Sequence, residues 1–182
     1  MFPLKLFQNR FVAVVIAAAV IVFSTVFAGR SNLSRACREQ EEAFFTVTEG
    51  KAPVYYVDQI ISASASLADL AEKSGASAYA AADLRTARRA LVNAEEKRDL
   101  SDMYAAYRSV LTAADSVELT FDDPADRDLY DNCKSVISGA SRELEKSDYN
   151  DNVNRFLIDT YYSFPSSVFA RLFMVDAPEL FA

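Results

Sequence analysis

Between positions 11 and 28 the chain reads FVAVVIAAAVIVFSTVFA, eighteen residues without a charge that open at Phe11 and close at Ala28. No other stretch of the 182 residues approaches this apolar length. A bilayer core of about 30 Å needs about 20 apolar helical residues, within a range of about 17–25. Inside lipid every backbone polar group must be satisfied internally, so the run is expected to be a helix despite its Val and Ile content. A cleaved signal peptide is the competing reading. Its apolar core runs about 7–15 residues, and Val26 and Ala28 make a small-residue cleavage site. Cleavage there would leave a secreted helical protein. The greater length favours an anchor. Lys5 and Arg10 precede the run and Arg30, Arg35 and Arg38 follow it. These flanks nearly balance, so the positive-inside rule assigns the body to neither side.

The remainder is long enough for one domain with a real core. Of 19 basic and 26 acidic residues, Lys5 and Arg10 lie before the run, which leaves the body with a formal charge of −9. A surface for nucleic acid or anionic lipid needs clustered Lys and Arg, and this balance argues against both. The chain contains no histidine. Ser-His-Asp and Cys-His catalysis are therefore excluded, as is the commonest transition-metal ligand. Cys37 and Cys133 have no C-x-x-C spacing and fall on apolar faces, so they read as buried thiols rather than a zinc site. The adjacent pairs Glu41-Glu42, Glu95-Glu96 and Asp122-Asp123 point about 100° apart on a helix and do not share a face. No catalytic residue, cofactor site or metal site is assigned, and an enzyme is not expected.

Four glycines and five prolines leave little turn chemistry for strands, which points to an all-α fold. Leu33, Cys37, Gln40, Phe44 and Val47 step at spacings of 4, 3, 4 and 3 and define a first soluble helix, closed at Glu49-Gly50. Pro53 suits the first turn of the next helix. Its stripe runs through Val54, Val57, Ile61, Ser64, Leu67 and Ala71, crosses Ser74-Gly75, and resumes with Tyr79, Leu84, Ala87, Leu91 and Ala94. A continuous second helix is expected, with the first helix turning aside near Gly29. Ser101 is the expected N-cap of a third helix carrying Tyr104, Tyr107, Leu111, Ala114 and Val117. The turn Asp122-Asp123-Pro124 opens a long last helix through Tyr130, Cys133, Ile137, Ala140 and Leu144. After one five-residue step, Tyr149, Val153, Phe156 and Thr160 continue the seam to Pro165. Heptad-like spacing also fits a coiled-coil dimer, but turn signals every 20 to 45 residues favour an antiparallel four-helix bundle behind a single N-terminal transmembrane helix. The expected divisions are a flank at 1–10, the membrane helix at 11–28, a bundle domain at 30–164 and an apolar tail at 165–182. In such an up-down bundle the tail either lies near the membrane or caps the core end; capping is the stronger reading.

Residues 148–173 read DYNDNVNRFLIDTYYSFPSSVFARLF. Tyr149, Asn150, Val153, Phe156, Ser163, Phe164, Pro165 and Ser166 resemble the C-terminal signature of the LemA family, membrane-anchored bacterial proteins. Ala52-Pro53-Val54 and Asp123-Pro124 fall, in order, where that family has a Pro-containing helix start and a Tyr-Pro-Asp turn. The family's Trp and Arg-rich positions are missing, and Leu157 stands where a second Asn is expected, so the chain resembles a divergent member. The resemblance implies a four-helix bundle behind one membrane helix and no enzyme chemistry. The signature positions Tyr149, Asn150, Val153, Phe156, Phe164 and Pro165 read as structural, with Phe164-Pro165 stopping the helix and sealing the core end.

Two functional classes remain. One is a membrane-tethered interaction or scaffold module with a protein partner and no nucleic acid. The other is a ligand-sensing bundle, which should show a polar residue aimed into a roomy core and an output domain across the membrane. Ten residues before the run leave no room for such a domain, which favours the interaction module.

Overall fold

The computed structural model describes residues 10–46, 51–74 and 78–182. Every regular element among the described residues is helical. Two compact units are present: Met1–Gln40 with Asn154–Pro178, and Glu41–Val153 with Glu179–Ala182.

The second unit is an antiparallel bundle of α2 (Pro53–Lys73), α3 (Ala78–Lys97), α4 (Leu100–Ser116) and α5 (Pro124–Glu145). Helix α2 packs on α3 and α5, and α3 packs on α4. Arg88 Nε donates to the Ile61 carbonyl, while Arg85 pairs with Asp69 and Glu72, so α3 runs back along α2. Lys73 pairs with Asp126 at 2.8 Å, joining the end of α2 to the start of α5. Tyr107 and Tyr130 reach Ser141 and the Val117 carbonyl, and Lys134 reaches the Ala114 carbonyl, which closes α4 against α5 in antiparallel order.

The apolar stripes explain the packing. Val57, Ile60, Leu67, Leu84, Leu91, Leu100, Met103 and Val110 are all essentially inaccessible to solvent. Each fully buried aliphatic side chain contributes about 1.5–3 kcal/mol relative to exposure. Cys133, Ile137, Ala140 and Leu144 bury the α5 face as their spacing predicts. Cys37 and Cys133 are both buried.

Several expectations change. The second helix is not continuous: α2 ends at Lys73 and α3 returns along it from Ala78. The apolar stripe persists because both arms bury a face, so the pattern alone does not show the reversal. Ser74 caps α2 through its backbone N–H to the Leu70 carbonyl; Gly75, like Val47, Glu49 and Gly50, lies outside the described residues. Tyr79, expected on the stripe, is exposed at the start of α3. The α4 cap is Asp99 rather than Ser101, its side chain accepting from the Asp102 N–H at 2.8 Å. The last long helix is broken. After α5 the chain turns at Lys146, restarts as α6 (Tyr149–Phe156), and passes into a π-helical segment, Leu157–Tyr161. The five-residue step between Leu144 and Tyr149 marks that break.

The α3–α4 connection is held by Arg98 in the left-handed region at φ 56°. The Asp99 N–H reaches back to the Ala94 carbonyl, a Schellman-type closure that usually takes Gly. Arg98 fills the position because its guanidinium binds both Glu42 oxygens and lies 4.8 Å from the Phe45 ring centre.

The first unit contains most of α1 (Arg10–Phe45), the π segment and α7 (Ser166–Phe173). Helix α1 is 36 residues long, about 54 Å at 1.5 Å per residue, and is helical through Gly29 without interruption. It is long and apolar enough to cross a membrane, and its most apolar stretch is not buried against the rest of the chain. Leu33, Cys37 and Ala170 form a small core with Phe156, Tyr161, Phe169 and Val175 packed around it.

Candidate functional site

The most specific construction in the molecule is the seat of Glu179–Ala182 at one end of the bundle. It begins with the first turn of α6. Tyr149 sits at the start of that helix with its ring buried, and its hydroxyl donates to the Glu179 carbonyl at 2.7 Å. Asn150, next in sequence, grips one residue by both backbone groups. Its Oδ1 accepts from the Phe181 N–H at 2.9 Å and its Nδ2 donates to the Phe181 carbonyl at 2.8 Å. An amide side chain has one acceptor and two donor hydrogens, so this pairing copies the exchange between paired strands.

Glu179 is fixed from two further directions. Its carboxylate accepts from the Leu100 N–H at 3.1 Å, at the N-terminus of α4, where negative charge is favoured. Its own N–H donates to Glu41 at 3.3 Å. Burial pushes the Tyr149 phenol well above its ordinary pKa, and the Glu41 and Glu179 carboxylates push in the same direction. The hydroxyl is therefore held protonated, as donation to a carbonyl requires.

Phe181 enters an aromatic box. Its ring centre lies 5.0 Å from Phe44, 5.2 Å from Tyr104 edge-on and 5.5 Å from Tyr107, and Phe44 also meets Tyr149 at 5.1 Å. Such pairs add about 0.5–1.5 kcal/mol beyond their burial. Tyr107 spends its hydroxyl on Ser141 at 2.7 Å. Beside Phe181 and Ala182 opens a cavity of about 540 Å3 bordered by Tyr104, Glu145, Lys146 and Asp151.

The residues singled out between Tyr149 and Pro165 thus have separate duties. Tyr149 and Asn150 hold the tail, and Val153 is fully buried in the second unit. Phe156 packs on the Leu33–Cys37–Ala170 core of the first unit. Phe164, expected to seal the core end, is instead 84% exposed, next to a cis bond to Pro165. The chain leaves the π segment through a turn at this point, and the ring is open to solvent. Sequence reading missed Glu179 and Phe181 as partners of the Tyr-Asn pair. The aromatic Phe181, four residues after Ala177, was the available signal.

The seat binds backbone and an aromatic ring. Among the described residues no three Cys, Asp or Glu side chains are grouped to hold a metal ion. The buried polar side chains are satisfied: Ser64 donates to the Ile61 carbonyl and Ser141 pairs with Tyr107. Shallow grooves line the bundle: one between α3 and α4 is lined largely by Ala, Ser and Thr, and one between α2 and α5 includes Tyr55, Asp58, Leu129 and Val136. The chain matches no known family model, no characterised protein and no solved structure.

Proposed function

We propose that this chain is a membrane-anchored, single-pass helical bundle, a divergent LemA-like protein of bacterial type, acting as a non-enzymatic interaction or scaffold module at the cell membrane. The observation that carries this reading is α1. One uninterrupted helix holds the unburied apolar stretch and, at its other end, Phe44, a member of the aromatic box. Cleavage after Ala28 would cut this helix in its middle and free Gly29, which is packed against Phe169. That favours retention of the span over removal as a signal peptide. The absence of any histidine and the formal charge of the body, −9, speak for a protein partner over catalysis or nucleic acid. The two signature residues Tyr149 and Asn150 build a seat for the chain's own tail, which suits a structural role for the LemA-like motif.

Photo-crosslinking in native membranes tests the interaction role. Crosslinkers are placed at exposed positions of each bundle helix, and adducts are identified by mass spectrometry. A discrete protein adduct confined to one face is expected. Uniform absence of adducts from all four helices contradicts it.

A further inference from the structure

We propose that α7 lies in the membrane interface beside the emerging end of α1, with its exposed apolar side chains inserted among lipid headgroups and upper acyl chains. This rests on the anchor reading of α1 and adds a second membrane contact to it. Gly29 follows the apolar run directly. A Cβ at that position would stand 2.9 Å from Cε2 of Phe169, so the Phe169 ring lies directly on the bare backbone at the exit of the run. One residue on, the Arg30 guanidinium sits 5.9 Å from the Phe173 ring centre. Ala170 completes the seat against Leu33 and Cys37. Helix α7 is therefore pinned at the level where the apolar run gives way to charge.

Its inner face being used in this way, its outer face is apolar and open. Val168 and Leu172, one helical turn apart, are 50% and 64% exposed. Phe164 before the helix and Met174 after it are more exposed still, and Ile158 of the π segment and Tyr162 just after it are also open. In water such a cluster is costly, whereas lipid at that level removes the cost. The occupant argued here is lipid because the patch belongs to the same unit as the run and is level with its end. Arg30 and Arg171 are offset in this region by Asp159 and Asp176. Insertion should therefore depend on apolar burial and change little with anionic lipid content.

The chain contains no tryptophan, so single-Trp variants report without background. The full chain is reconstituted in phosphatidylcholine vesicles as Leu172→Trp, with Val20→Trp reporting the run and Leu129→Trp reporting an exposed site on α5. Lipids brominated at different depths quench from the membrane side and iodide quenches from water. The expected result is loss of Leu172→Trp emission with shallow bromination, at a depth of about 5–10 Å, together with protection from iodide. Val20→Trp should be quenched by deep bromination and Leu129→Trp by iodide alone. If Val20→Trp is quenched by lipid while Leu172→Trp behaves like Leu129→Trp, the α7 placement is overturned and the anchor stands. If Val20→Trp itself escapes lipid quenching, the anchor reading fails and the α7 placement with it. Circular dichroism of each variant checks that these exposed replacements leave the helices intact.

Discussion

Asn150 illustrates how one side chain can organise a chain end. Its two hydrogen bonds to Phe181 each contribute about 0.5–1.5 kcal/mol net. Asn150→Ala is expected to loosen residues 179–182 by about 1–3 kcal/mol, read as faster amide exchange at Phe181. Asn150→Asp keeps the acceptor and loses the donor, so it should fall between the two. Unchanged exchange in Asn150→Ala would contradict the seat. At Glu95 the relevant variable is proton binding. Burial, with the Asp58 and Glu96 carboxylates beside it, pushes this carboxyl from an ordinary 4.5 up to about 7. The folded-state value is the higher one, so protonation favours the fold. Its contribution is complete below about pH 4.5 and is lost as pH rises through about 7. Glu95→Gln stays neutral throughout and should be more stable than the parent at pH 8, by no more than ~1 kcal/mol because the group is partly solvated. At pH 4.5 the two should converge. Urea midpoints at both pH values decide it, and an equal difference at both would remove Glu95 as the cause.

At the scale of elements, caps and stripes were legible where one residue determines a local geometry. Pro53 and Pro124 both open helices, and Asp123 caps α5 by accepting from the Ala125 N–H. The reversal between α2 and α3 was not legible, because Val57 to Ala71 and Leu84 to Ala94 bury their faces in the same core and so keep one apparent period. The break after α5 left a trace, the five-residue step from Leu144 to Tyr149, but a phase shift and a helix end give the same spacing. Met174, which closes α7, is a left-handed residue at φ 50° with an exposed side chain. The left-handed region costs a non-glycine residue about 1–2 kcal/mol. Met174→Gly should therefore strengthen the closure, seen as slower exchange of the Val175 N–H that bonds to the Ala170 carbonyl. In the core of the bundle, Leu84→Ala should cost about 2–5 kcal/mol as a cavity-forming change, measured by thermal or urea unfolding.

For the whole molecule, the all-α character and the apolar run were readable from composition and one stretch of sequence. Which residues the Tyr149-Asn150 pair would hold was not, since Phe181 is 31 positions from Asn150 and no local pattern links them. The tail illustrates the same limit. Its residues read together as one apolar segment, yet Phe169 packs on Gly29 while Phe181 enters the aromatic box. The central claim is that residues 11–28 remain as a membrane anchor on a helical module. Alkaline-carbonate extraction of membranes from cells producing the full chain, followed by intact mass of the retained protein, tests it most directly. The account predicts a chain that resists extraction and keeps its residues up to and through Ala28. A soluble product whose mass corresponds to a first residue at Gly29 would contradict it.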